Sequence, residues 1–247
     1  MGAATRPTRL TARLRAGDVL GVLSGRVDPE LVEESAHAGF DFYVIDLEHT
    51  SASDRELAGC VRAGDSGGIP VLVRLGHQDL PRLAHFLDAG GDGAILAHVT
   101  SRQDLATLID ICCYPPIGSR GVGTTRVARY GFEPTAPAWL ADQNDGLFLG
   151  ALIETELPVD VADRIASDAR LSAVFIGARD LSVALGVAGD MTHPQVLAAT
   201  NTIRTACERH GVPVAVMVRD LDGAPRARLR MVGIGTMMSA AVRALRR

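Results

Sequence analysis

The sequence predicts a (β/α)8 barrel of parallel strands, a TIM barrel, and three observations predict it. About eight short apolar runs alternate with longer helix-like segments, over a length usual for such barrels. The runs are apolar throughout, without strict alternation, as in parallel strands buried on both faces. Four of them end on residues suited to chemistry: Phe42-Tyr43-Val44-Ile45-Asp46, followed by Leu47-Glu48-His49; Val71-Leu72-Val73-Arg74; Leu149-Gly150-Ala151-Leu152-Ile153-Glu154; and Val174-Phe175-Ile176-Gly177, leading to Asp180. Barrel enzymes carry their active sites at the C-terminal ends of the strands, so these groups are expected to converge on one rim.

In chain order, the predicted strands are Val19–Leu23, Phe42–Asp46, Pro70–Arg74, Ala94–Ala97, Leu147–Glu154, Ala173–Gly177, Pro213–Val218 and Met231–Gly235. Helices fall between them. Pro29–His37 has proline in a first turn and Gly39 as a stop. Ser53–Ala63 starts on a capping serine and runs into Gly64, and Leu80–Asp88 ends at Gly90-Gly91. Arg102–Cys112 sets Leu105, Leu108, Ile109 and Cys112 on one face, and His193–His210 stops at Gly211. Leu10 and Leu14, four apart, suit a short N-terminal capping helix. The Gly- and Pro-rich stretch Tyr114–Ala141 reads as a long ordered loop with short helices, and its length suggests a functional role. No linker or repeat divides the chain, so residues 1–247 are expected to form one barrel domain.

Composition narrows the function. A net charge of −4 with mixed signs gives no reason to expect nucleic acid. The stretch from Arg226 through Arg228 to Arg230 reads as a solvated helix face. No apolar run approaches the roughly 20 residues of a membrane span, and the arginine-rich N-terminus lacks the apolar core of a secretory signal. Cys60, Cys112, Cys113 and Cys207 form no metal-binding pattern and read as buried free thiols, which fits the cytoplasm. No Gly-x-Gly-x-x-Gly follows the first strand, which argues against a dinucleotide. All 25 basic residues are arginine. Without lysine no side-chain Schiff base can form, so carbonyl chemistry here would call on a metal as the electrophile.

Glu154 and Asp180 are two hard oxygen donors suited to Mg2+ or Mn2+; alternatively each caps a helix or pairs with an arginine such as Arg179. Asp46 and His49 at a strand end suit a general acid/base, the carboxylate fixing the imidazole tautomer. Glu48 beside them could point away into an ion pair. Arg74, buried at its stem, needs an anion: a substrate carboxylate or enolate, or Asp46 or Glu154. The small residues Gly177 and Ala178 before a helix start could present backbone N–H groups to an anion, or could form a simple tight turn. His77, His85, His98, His193 and His210 show no mutual ligand spacing and read as surface or structural.

The segment Phe40-Asp41-Phe42-Tyr43-Val44-Ile45-Asp46-Leu47-Glu48-His49 resembles the second-strand signature of the HpcH/HpaI aldolase family, the metal-dependent pyruvate aldolases. The resemblance continues through Pro70–Arg74, Leu87-Asp88-Ala89-Gly90, the stretch from Tyr114 to Gly121, Ile153-Glu154-Thr155 and the stretch from Phe175 to Ser182. It implies a phosphoenolpyruvate/pyruvate-type barrel assembled as a homo-oligomer, a hexamer of exchanged-helix dimers. It implies that Glu154 and Asp180 ligate a divalent metal (Mg2+, Mn2+ or Co2+), and that Arg74 stabilises an enolate oxygen. The backbone at Gly177 and Ala178 would hold a carboxylate, and His49, oriented by Asp46, would transfer a proton at an aldol hydroxyl. The implied partners are a small 2-oxo acid and an aldehyde, and the implied reaction cleaves or forms a C–C bond in a 4-hydroxy-2-oxo acid. There are departures. Leu152 stands where the family commonly has glutamine, Ala97 replaces a usual proline, Ser24-Gly25 lacks a tryptophan and Gly233-Ile234-Gly235 lacks an aspartate. They keep two alternatives open: a decarboxylase of an oxaloacetate-like diacid, or a non-catalytic barrel that binds an oxo acid.

Overall fold

The structure is a computed structural model that describes residues 9–132, 136–218 and 227–246. Strands β1 (Val19–Ser24), β2 (Phe42–Asp46), β3 (Val71–Leu75), β4 (Gly93–Leu96), β5 (Phe148–Ile153), β6 (Ala173–Ile176), β7 (Val214–Val218) and β8 (Leu229–Gly233) close into a barrel in sequence order. Every neighbouring pair is parallel, and β8 returns to β1 with Val19 opposite Leu229. The helices are α1 (Leu10–Ala16), α2 (Pro29–His37), α3 (Asp54–Gly67), α4 (Leu80–Asp88), α5 (Arg102–Cys112), α6 (Pro137–Gly146), α7 (Val159–Ala166), α8 (Ala178–Ala184), α9 (Pro194–His210) and α10 (Ile234–Leu245). This is the predicted (β/α)8 architecture.

Two cores follow from the period of two along each strand. Phe42, Val44, Leu72, Ile95, Phe148, Leu152, Phe175 and Met231 fill the barrel interior. Their sequence neighbours Tyr43, Ile45, Val71, Val73 and Leu149 pack outward with the helices. Leu10 and Leu14 of α1 join the inner core, as a capping helix should. Ser53 and Ser101 begin α3 and α5 with complete capping boxes, to Glu56 and Asp104.

Four differences from the sequence reading have physical reasons. First, α3 runs through Gly64 to Gly67. Gly64 is a packing residue: a β-carbon there would sit 2.4 Å from Val71 Cγ2. Second, β8 lies two residues earlier than predicted, because the apolar run Gly233-Ile234-Gly235 crosses from strand into α10. Third, Arg228 and Arg230 are not on a helix face. Arg230 lies in β8 and Arg228 donates to the Leu14 carbonyl, while Arg226 lies outside the described residues.

Fourth, the stretch after Tyr114 joins α5 to α6, and α6 claims its end from Pro137. A helix-to-strand connection lies at the N-terminal end of the barrel, away from the catalytic rim. Its arginines are structural: Arg120 pairs with Asp88 at 2.8 Å and stacks on Tyr114, and Arg126 pairs with Asp65 at 2.6 Å. Residues 133–135, including Pro134, lie outside the described set.

Candidate active site and metal centre

The inward phase that fills the barrel also delivers the polar groups at its rim. On β2 it runs Phe42, Val44, Asp46 and then Glu48; on β3 Leu72, Arg74; on β5 Phe148, Leu152, Glu154. Asp46 and Arg74 are register partners on adjacent parallel strands. Arg74 Nε donates to Asp46 Oδ1 at 3.0 Å and Nη2 donates to Oδ2 at 2.6 Å, a two-pronged pair. Of the partners open to Arg74, Asp46 takes the hydrogen bonds, and Glu48 Oε2 adds an ion pair at 3.4 Å from Nε. Burial alone would lower the Arg74 pKa; the bond to Asp46 and the charges of Asp46, Glu48 and Glu154 outweigh it and hold the guanidinium above its ordinary value.

Gly177 follows β6 as the next inward position, and its N–H donates to Ile153 O at 2.9 Å, setting it beside Glu154. A β-carbon on Gly177 would lie 2.6 Å from Glu154 Cγ and Oε1, so only glycine leaves that carboxylate in place. Ala178 opens α8 and packs toward Leu181 and Val196. Asp180 sits in the first turn of α8 and faces Glu154. Burial, then the negative charges of Glu48 and Asp180, push the Glu154 carboxyl up to about 7, with Arg74 pulling the other way.

The two histidines differ from expectation. Asp46 does not orient His49: both Asp46 oxygens are taken by Arg74, and residue 49 is in the outward phase of its strand. His49 is 69% exposed, with its Nε2 3.9 Å from Glu48 Oε2, and it borders a surface hollow with Thr50, Asp79 and Arg82. Glu48 points inward and is 7% exposed. His98, read as surface or structural, also enters the site. Its Nε2 lies 2.9 Å from Glu48 Oε1 and its Nδ1 3.1 Å from Glu154 Oε2. Parity could have placed Glu48 ahead of His49. Nothing local announced His98, whose φ of 56° turns it inward at the exit of β4.

Arg74, Glu154, Gly177 and Asp180 line a cavity of about 120 Å3 walled by Leu23, Ile95, Leu152, Phe175, Met217 and Met231. That is well below the roughly 300–1,000 Å3 of pockets for drug-sized ligands and suits a small acid. The charges around it do not balance. Glu48 Oε2 and Glu154 Oε2 are buried without hydrogen-bond partners, and ligand atoms of Glu48, His98 and Glu154 lie within 4.8 Å of one another. Two carboxylate charges at that spacing repel by about 3–4 kcal/mol at an effective dielectric of ~20. The donor set therefore fits a divalent cation, with hard oxygens and one imidazole around a negative locus.

A closed parallel barrel with acids, an arginine and an imidazole gathered at its C-terminal rim is the layout of a barrel enzyme. The family model described as HpcH/HpaI aldolase/citrate lyase matches residues 21–244. A hydroxypyruvate/pyruvate aldolase of Sagittula stellata is 32% identical over 86% of this chain and 83% of its own. A 5-keto-4-deoxy-D-glucarate aldolase of Salmonella newport is 29% identical over 88% of this chain and 84% of its own. The crystal structure of an HpcH/HpaI aldolase from Desulfitobacterium hafniense superposes with a TM-score of 0.84 at 28% identity, covering 97% of this chain and 96% of that one. This chain belongs to the HpcH/HpaI aldolase/citrate lyase family and is a carbon–carbon lyase.

Proposed function

We propose that the enzyme is a metal-dependent class II aldolase that cleaves or forms the C–C bond of a 4-hydroxy-2-oxo acid through a pyruvate-type enolate. The observation that carries this reading is the excess of carboxylates, the buried Glu48 and Glu154 with Asp180 at the cavity mouth, opposite the single arginine Arg74. Glu154 and Asp180 would hold Mg2+, Mn2+ or Co2+. Such an ion supplies Lewis-acid polarisation of the keto group, the task a lysine would otherwise perform.

The chain's own residues do the rest. Arg74, fixed by Asp46, directs its positive charge toward the oxygen on which enolate charge develops. The backbone at Gly177 and Ala178 receives the substrate carboxylate, and Leu152 makes one wall of the cavity apolar. His49 moves the proton at the aldol hydroxyl, with Glu48 as its nearest carboxylate. The names of the two relatives support a 2-oxo acid as one partner and an aldehyde as the other. Met238, Val242 and Leu245 of α10 are exposed and no residue of that helix is fully buried, which supports a homo-oligomer, a dimer or hexamer. Four buried free cysteines support a cytoplasmic setting, and no helix among the described residues is long and apolar enough to cross a membrane.

The division of labour has a direct test. His49→Ala should impair cleavage across a panel of 4-hydroxy-2-oxo acids by about a hundredfold or more while sparing pyruvate enolisation. Equal loss of both would remove His49 from the hydroxyl. Metal-dependent decarboxylation of oxaloacetate with no pyruvate released from the panel would contradict the aldolase reading.

The Glu154 carboxyl, at about 7, also ties metal to pH. Its folded-state pKa lies above the ordinary value, so the folded chain binds the extra proton and loses stability as pH rises from about 4.5 to about 7. Metal binding needs the carboxylate. Added Mg2+ or Mn2+ should therefore raise the melting temperature more at about pH 8 than at about pH 5.5. Thermal melts with and without chelator measure this, and a metal effect that is larger at the acid pH would contradict it.

A further inference from the structure

His98 has no part in the chemistry assigned above, yet it lies between two of the carboxylates. Resting on the metal-site reading above, we infer that His98 is a third protein ligand of the same divalent ion, through Nδ1, with Glu48 as the carboxylate that orients it.

Four observations converge. His98 Nε2 is 2.9 Å from Glu48 Oε1, an ion-pair distance. A proton held on Nε2 toward Glu48 would leave the Nδ1 lone pair facing Glu154, the carboxylate–histidine–metal arrangement. His98 Nδ1 is 3.1 Å from Glu154 Oε2, a buried oxygen that no hydrogen bond satisfies. The Glu48 and Glu154 side chains are 7% and 6% exposed, so the two oxygens that make no hydrogen bond, Oε2 of each, are shut off from water. One ligand atom from each of the three residues lies within 4.8 Å of the others, and donors about 2.0–2.4 Å from a shared ion can be no further apart than that.

The backbone adds an independent point. His98 holds φ at 56°, in the left-handed region, a strained backbone for a non-glycine residue that persists where the surroundings over-determine it. Packing does not account for it, because the imidazole is 60% exposed. The turn serves to aim the ring between Glu48 and Glu154. An imidazole among oxygen donors changes the preferred metal: nitrogen favours Co2+ and its later neighbours, whereas an all-oxygen site suits Mg2+.

The test is a titration of Mg2+ and of Co2+ into the full chain by calorimetry, with pulsed EPR of the Mn2+-loaded protein for nitrogen coupling. The proteins are the unaltered chain, His98→Asn, His98→Gly and Glu154→Gln. Asparagine and glycine both accept the left-handed backbone, so the fold is kept while the imidazole is removed. Both should lose Co2+ affinity by about tenfold or more, with a smaller loss for Mg2+, and the nitrogen coupling should vanish. An unchanged ratio of Co2+ to Mg2+ affinity, with binding still abolished in Glu154→Gln, would overturn the role of His98 and leave the Glu154 site standing. Unaltered binding in Glu154→Gln would overturn the metal site and His98 with it.

Discussion

Glu154→Gln and Asp180→Asn should each remove metal-dependent turnover by about a thousandfold or more, a loss of roughly 4 kcal/mol in transition-state stabilisation. Both changes keep shape and remove a charge. Glu154 sits at the centre of the repulsion with Glu48 and Asp180, so stability should move the opposite way. With chelator present at about pH 8, Glu154→Gln should be more stable than the unaltered chain by up to about 3 kcal/mol, because a buried, unpaired charge is gone. Activity lost together with stability gained is the signature of a carboxylate kept for binding a cation. Full activity in either variant, or a destabilised Glu154→Gln, would contradict this account.

Arg74→Ala should be damaging twice over. It removes the positive charge at the place where enolate charge develops, and loss of one such donor costs about a hundred- to a thousandfold in kcat. It also leaves Asp46, 7% exposed and bonded through both oxygens to Arg74, as an unpaired buried carboxylate. Breaking a buried pair in this way costs about 3–5 kcal/mol. Arg74→Lys separates the two effects. Lysine keeps the charge but not the two-pronged grip on Asp46, so stability should recover more than activity. The comparison needs kcat and a denaturant midpoint for each protein; wild-type kcat in Arg74→Ala would exclude the assigned role.

Strand ends were readable because an apolar run must stop somewhere, and Asp46, Arg74 and Glu154 stand where three of them stop. Their convergence at one rim follows from the parallel topology alone. What the sequence concealed has separate causes. Helix α6 has no apolar face to announce it; its buried residues are Asn144 and Gly146. The function suggested for the stretch from Tyr114 came from its length, yet its place between a helix and a strand sends it to the wrong end of the barrel. In the Asp-x-Glu-His cluster, counting by twos from Phe42 reaches Asp46 and Glu48, so Glu48 is the inward carboxylate and His49 lies at the rim beside it. His98 depends on a left-handed turn that histidine tolerates and does not advertise.

Deuterium exchange at the methyl group of pyruvate in D2O, followed by NMR, tests the central claim most directly. Chelator-treated protein would be compared with the same protein given back Mg2+, Mn2+ or Co2+. The account predicts exchange that appears only with the metal restored and is absent in Glu154→Gln. Exchange that persists in chelator, or none in protein shown independently to have bound metal, would contradict it.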